Sequence, residues 1–502
     1  MLILAILSDM GEALVGYLSW ARLEQGLFHR KRWVRLATLL AICLAAALPI
    51  GAAIGVLGFT YGSAAIIALA AGYLMLRSTL AGLVALVGVI CLLPFAVVPL
   101  NFGFAPTFLD LVLIMLFFVW MARVATHREG PFVGDPPTLA VLIFTGLAIA
   151  SFVLGISNAT LNANLVRHFA EIILSLLLFV LVINTVRTEQ QIKVVVIALI
   201  LAGTLAALIG IVLYFLPETL TIRLLSALRV VRYPSGSDVL RYIEDNPDLS
   251  LRATSTSVDP NVLGGLLILI TSLAASQVLA DKPILPRIIA IGMTAVLAVC
   301  MILTFSRGSF AGLAVALVLL GIRYPRRAIW FLLGLALCLL LPPAQAYISH
   351  FVEGVQGEDL ATQMRFGEYK DALTLIQRYP WFGVGFGGTP DRDLYLGVSS
   401  VYLLIASEMG IVGVVAFVAA LLSFLWQFIT LPLRQIRGNQ LEGIVLGTTC
   451  AVIGGMVGGV FDHYLFNLVF PHAAALLWLF VGLGAVSFRL AHQQVAEAVP
   501  AV

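Results

Sequence analysis

The chain has 502 residues, 61% of them hydrophobic and only 11% charged. Ordinary soluble chains carry about 25% charged residues, and the mean hydropathy here is +1.06. These figures exclude a soluble enzyme, a disordered chain, a collagen-like fibre and a disulfide scaffold, and they leave an all-α polytopic membrane protein. The formal net charge of +3 gives no reason to expect nucleic acid as a partner.

A helix that crosses a bilayer needs about 20 predominantly apolar residues. Fourteen stretches read as transmembrane helices: 36–58, 60–76, 80–99, 106–122, 137–156, 168–186, 194–215, 261–280, 288–305, 309–322, 328–347, 398–427, 441–460 and 466–488. A weaker stretch at 2–20 carries Asp9 and Glu12. It lacks the basic segment that opens a cleaved leader, and reads as a first span or an interfacial helix. Cys43, Cys91, Cys300, Cys338 and Cys450 all lie in apolar stretches. They form neither a metal spacing nor a disulfide framework, so no metal and no cofactor are expected.

Lys and Arg in the connections set the orientation. With the cluster Arg22, Arg30, Lys31, Arg32 and Arg35 placed inside, the later inside connections hold Arg77, Arg123, Arg128, Arg187, Lys193, Lys282, Arg287, Arg323, Arg326, Arg327, Arg434, Arg437 and Arg489. The short outside turns hold only Arg167 and Arg307. Two long loops, 216–259 and 348–397, then face the extracytoplasmic side, and loops of this length are usually functional or disordered. The first contains Pro217, Arg223, Arg229, Arg232 and Arg241, and its part 218–230 has the helical spacing of a segment lying on the membrane surface. The second has a helical pattern at 362–378, then Tyr379-Pro380 and the glycines Gly383, Gly385, Gly387 and Gly388. The chain divides into N-terminal transmembrane helices (1–190), a membrane core with both loops (191–488) and a cytoplasmic tail (489–502).

Five features carry candidate chemistry. Residues 251–261 place Arg252 ahead of Ser257, Asp259, Pro260 and Asn261 at the entry of a helix. Capping accounts for Asp259 and Pro260, but not for Arg252. Arg307 lies in Thr304-Phe305-Ser306-Arg307-Gly308 between two spans; it either snorkels or grips phosphate with a bidentate fork. Arg365, in Met364-Arg365-Phe366-Gly367-Glu368-Tyr369, is followed by Lys370 and Arg378 on one helical segment. That segment is either a solvated helix or a second clamp for an anionic headgroup. Ser399-Ser400-Val401-Tyr402 leads to Glu408, Gly410 and Gly413; a glutamate in an apolar helix is expected to face the bundle interior with a partner, and the glycines allow close packing. Asp462-His463 closes the set, with His472 beyond: an oriented base or an interfacial hydrogen-bonded pair. Asp110, Arg167, His168 and Glu171 sit near span ends and read as a structural ion pair.

In this order, Arg252 to Asn261, Ser306-Arg307-Gly308, Arg365 with Pro380-Trp381-Phe382-Gly383-Val384-Gly385, and Tyr402-Leu403 with Glu408-Met409-Gly410 and Gly413 resemble the O-antigen ligase and polymerase family of bacterial envelope enzymes over roughly residues 190–488. The resemblance implies a GT-C-like helical bundle in the cytoplasmic membrane and an undecaprenyl-pyrophosphate-linked glycan as donor. A glycan or a lipid is the acceptor, since polymerases join repeat units and ligases move finished glycan. It assigns Arg307 and Arg365 to the donor pyrophosphate, with Arg252, Tyr402 and Ser399 as further substrate-binding positions. There is one departure. Ligases carry a histidine followed by Asn, Ser or Gln, with nine residues between that pair and the first glycine of the final motif; here the pair is Ser399-Ser400. The candidates for assisting the acceptor are then His463 with Asp462, Glu368, Asp391, Asp393, His350 and Glu408. The leading expectation is a repeat-unit polymerase, followed by a ligase. A flippase of lipid-linked glycans would need polar residues along a central cavity, whereas the mid-span regions are almost free of charge.

Overall fold

A computed structural model of the protein describes residue 25 and residues 27–98, 105–158, 160–329, 333–334, 360–391, 393–394 and 397–498. The stretch 2–20, nearly all of 328–347, and His350 lie outside the described residues. Among the described residues the chain is helical, with two isolated β-bridges, Val97–Thr107 and Tyr242–Leu251.

Two compact units divide at Leu76 and Arg77. The first is represented by α1 (Arg32–Arg77), which breaks at Gly58, where φ is +75°. The expected spans 36–58 and 60–76 both fall on α1, and the gap between them falls beside this break.

The second unit comprises α2 (Thr79–Leu92), α3 (Phe108–Ala125), α4 (Pro137–Leu154), α5 (Ala163–Thr185), α6 (Glu189–Phe215), α7 (Glu218–Ala227), α8 (Pro260–Leu279), α9 (Arg287–Leu303), α10 (Arg307–Arg323), α11 (Leu360–Arg378), α12 (Val401–Ile429), α13 (Gln440–Phe461) and α14 (Pro471–Ala498). Local capping explains several starts. Thr107 and Asp110 form a reciprocal capping box on α3, as do Thr188 and Gln191 on α6. Among the described residues eight helices, α3 to α6, α8 and α12 to α14, are long and apolar enough to cross a membrane, while α2 and α9 are apolar but shorter. The sequence expectation of an all-helical membrane protein holds; its count of fourteen spans is met only in part.

Helix α8 and the first two thirds of α14 are predominantly apolar and almost wholly buried, as befits central elements. Around α8 pack α6, α9, α10 and α13; α14 lies against α5 and α13, and α12 against α4. The α10–α13 contact is close because both faces are glycine-rich. A Cβ on Gly312 would stand 2.4 Å from the Gly454 carbonyl oxygen, and small residues of this kind let membrane helices approach backbone to backbone.

The segment 216–259 is built on the end of α6. Thr221 Oγ1 donates to Leu213 O at 2.9 Å, and Leu213, Leu225 and Val239 share a small core. The opposite end of the bundle is tied by buried ion pairs. Arg323 meets Glu442 at 2.6 Å and Arg489 meets Asp135 at 2.8 Å; Arg489 also donates to Ile183 O at 2.9 Å. Removing one member of such a pair leaves an uncompensated buried charge, at a cost of about 3–5 kcal/mol. Arg489→Met is accordingly expected to lower the unfolding free energy by about 3 kcal/mol, with Asp135→Asn in the Arg489→Met background recovering much of it; thermal unfolding in detergent checks this.

Candidate functional site

The segments that precede α8, α10 and α12 come together with the turn after α13 at one end of the bundle. Asp259 caps α8 by accepting from Asn261 N (2.7 Å) and Val262 N (3.1 Å), and Pro260 occupies its first turn. Arg252 then has a defined task. Its Nε donates to Thr304 O at 2.9 Å and its Nη2 to Asn261 Oδ1 at 2.7 Å. One guanidinium thus links the incoming loop, the start of α8 and the end of α9.

Arg307 opens α10. Its Nη2 reaches Thr362 Oγ1 at 3.5 Å, which brings α10 to α11. Thr362, Arg365, Glu368 and Tyr369 recur at helical spacing, so they share a face of α11. Glu368 Oε2 accepts from both Ser399 N (2.9 Å) and Ser399 Oγ (2.7 Å), and Tyr369 OH donates to Ser399 O at 3.2 Å. Ala372, Val398 and Leu404 pack beneath these bonds. At the start of α12, Val401 N donates to Asp462 O at 3.1 Å. Asp462 Oδ1 lies 3.2 Å from His463 Nδ1 and accepts from His463 N at 2.8 Å.

These groups sense one another. Burial lowers the Arg252 guanidinium to about 10; Asp259 and Asp462 oppose that effect, and Arg365 adds to it. Burial alone would raise the Asp462 carboxyl, but the contact with His463 and the field of Arg365 outweigh it and hold the group below its ordinary range. Burial alone would lower His463, yet Asp462, Glu368 and Asp259 outweigh it and raise the imidazole above its usual value. The result is a charged cluster in which Arg252, Arg365 and His463 lie in the fields of Asp259 and Asp462, with Arg307 joined to α11 through Thr362.

The other candidate residues fall elsewhere. Glu408 is buried on α12 and makes no ion pair among the described residues; the partner expected for its carboxyl is not found there. Tyr402 OH donates to Met456 O at 3.1 Å, and its ring lines an apolar groove with Leu421, Leu425, Val452 and Val460. Asp391 pairs with Arg378 at 2.9 Å, while Asp393 is exposed. His472 is buried against Phe95, with ring centroids 4.9 Å apart. Arg167 bridges Asp110 (2.9 Å) and Glu171 (3.1 Å), and Thr107 Oγ1 donates to Glu171 at 2.7 Å; this is the structural network expected of them. Sequence reading missed Tyr464, whose buried ring occupies the space a Cβ on Gly265 would need. It also missed Ser309, whose hydroxyl meets that of Ser306 at 2.9 Å.

The raised imidazole and the depressed carboxylate fix a pH window. The stabilisation from protonated His463 is complete below about pH 6.5, the ordinary imidazole value, and is lost as pH rises through the raised value. The part due to Asp462 is present above about pH 3.9 and is lost as pH falls through its lowered value. The melting-temperature advantage of the wild type over His463→Gln is therefore expected to shrink as pH rises above about 6.5. A pH-independent difference would contradict the pairing.

Residues 292–418 match the family model described as O-Antigen ligase. No match was found among curated proteins. The matched segment runs from within α9 into α12 and contains Arg307, Arg365, Glu368, Ser399, Tyr402 and Glu408; Arg252, Asp259 and the Asp462–His463 pair come from outside it. The segment that carries Arg307, Arg365 and Glu368 is thus similar to the O-antigen ligase family model, and it lies in a chain that is helical among the described residues, with helices long and apolar enough to cross a membrane.

Proposed function

We propose that the chain is a glycosyltransferase of a bacterial cytoplasmic membrane that takes glycans from undecaprenyl pyrophosphate at the extracytoplasmic face. The carrying observation is that α11, which holds Arg365, meets Arg307 through Thr362 and Ser399 through Glu368, all within the matched segment. The core spans 191–488, with 216–259 and 348–397 as its extracytoplasmic loops.

In the proposed reaction the acceptor hydroxyl attacks the anomeric carbon. The bond from that carbon to the pyrophosphate oxygen breaks, and undecaprenyl pyrophosphate departs with the electron pair. Arg307 and Arg365 neutralise the charge that develops on the leaving group. Arg252 and protonated His463 add to the same field. Glu368 takes the acceptor proton. It suits this role better than His463, because the acids around His463 favour its protonated form. Ser399, where ligases carry histidine, holds Glu368 by two hydrogen bonds. Glu408 and Tyr402 have no direct part in the step.

Polymerisation of repeat units is the favoured reaction, because the serine pair replaces the ligase histidine and a carboxylate takes that place. The description of the matched family favours the second reading, transfer of finished glycan to a lipid or protein. Deleting the gene in its host and analysing the glycan pools separates them. Single repeat units accumulating on the carrier lipid are expected, and full-length chains accumulating there would establish ligation instead. Arg307→Ala is expected to lower transfer by about 100-fold or more and Glu368→Gln by about 100–10,000-fold. Unchanged glycan pools in the deletion would overturn the proposal.

A further inference from the structure

Helix α12 is broken within its membrane-spanning length. Gly410 has φ +70° and ψ −174°, so the helical hydrogen bonds around it cannot form. Lipid offers no substitutes, and each unsatisfied backbone group would cost several kcal/mol.

The segment that follows α11 supplies the missing partners. Ile411 N donates to Pro380 O at 2.8 Å, Val384 N to Ser407 O at 2.9 Å, and Gly385 N to Glu408 O at 3.0 Å. Helix α4 closes the arrangement. Ser151 Oγ lies 2.6 Å from Glu408 O and 3.0 Å from Phe382 O, and Asn158 Nδ2 donates to Val384 O at 2.9 Å. The approach leaves no room for side chains. A Cβ on Gly410 would stand 2.2 Å from Trp381 O, and one on Gly383 would stand 2.4 Å from the Glu408 carbonyl carbon. Gly383 and Gly385 also have φ of +65° and +84°, values costly for any residue with a Cβ.

We propose that this clasp is a positioning device for the transfer reaction, and that Gly383, Gly385, Gly410 and Ser151 are its positioning residues. The reasoning is geometric. Residues 380–385 begin two residues after α11 ends at Arg378. Gly383 N donates back to Tyr379 O at 3.2 Å, so the clasp and α11 move as one piece. α11 carries the donor-binding Arg365 and the acceptor-side Glu368 on that piece. Fixing its end to both α12 and α4 sets where those two groups stand relative to Arg307 and His463. The clasp also gives Glu408 its place: the carbonyl is the docking group, and the side chain is carried with it. This inference rests on the proposed roles of Arg365 and Glu368.

The test uses the purified full-length protein and lipid-linked repeat units extracted from the gene-deleted host. Gly383→Ala and Ser151→Ala are measured beside Gly58→Ala, a matched control. Gly58 also has a positive φ, yet a Cβ there meets nothing within 4 Å. A misplacement of about 1 Å costs roughly 100-fold in rate. The expected result is a kcat at least 10-fold lower in Gly383→Ala and Ser151→Ala, with donor KM within a factor of 3, while Gly58→Ala retains its rate. Should Gly383→Ala fail to fold, Ser151→Ala decides the matter, because it removes one hydroxyl and adds no atoms. Folded clasp variants with wild-type kcat would overturn the proposal, as would an equal loss in Gly58→Ala. Arg365→Ala and Glu368→Gln run in parallel; if they stay active, the functional reading has failed, and the clasp is then judged on its own variants.

Discussion

Backbone N–H and C=O groups in a membrane bundle must find partners within the protein, and the candidate site follows from that requirement. Its residues finish helices. Asp259 satisfies the first amides of α8. The Asp462 carbonyl accepts from the first amide of α12. Arg252 takes the Thr304 carbonyl near the end of α9 and the side chain of Asn261 at the start of α8. A single set of contacts therefore ends the helices and assembles the charged cluster. Asp259, Asp462 and Arg252 gain rigidity from this, because moving any of them reopens contacts at a helix end.

Charge is distributed unevenly along the bundle. At the end marked by Arg323 and Arg489, cations are matched one to one with Glu442 and Asp135, and the pairs read as fastenings. At the end marked by Arg307, Arg252 and Arg365 lie in one another's fields together with Asp259 and Asp462. Asp259 and Asp462 offset part of the positive charge there, and on the proposed reading a pyrophosphate would offset more.

Much of this was legible in the sequence. Hydropathy located the helices, and the Asp259-Pro260 pattern marked the start of α8. The break at Gly58 falls at the gap between two expected spans. Arg307 stood out because guanidinium groups are rare at short outside turns, and Arg365 because it lies on the helical segment of the second long loop. Other features were hidden because they depend on distant pairings. Nothing local shows that Glu368 binds Ser399, which is remote in sequence, or that Pro380 and Val384 complete the hydrogen bonds of α12. Glu408 illustrates the opposite error. A buried acid in an apolar helix draws attention to its carboxyl, yet the hydrogen bonds at that residue run through its carbonyl. Tyr402 is similar, its hydroxyl being spent on the Met456 carbonyl.

The serine at 399 is consistent with the electrostatics around it. His463 shows what nearby acids do to an imidazole here: Asp462, Glu368 and Asp259 together raise it. A histidine at 399, in the hydrogen-bonding position that Ser399 takes on Glu368, would meet the same influence. On the proposed mechanism it would be drawn toward its protonated form, add a cation beside the arginines, and pair with Glu368, the proposed base. Serine avoids all three effects. It donates its hydroxyl and its backbone amide to the same oxygen, Oε2, and orients the carboxylate without neutralising it. On the proposed mechanism, replacing the ligase histidine by serine therefore moves the basic function onto α11, the helix that also carries Arg365.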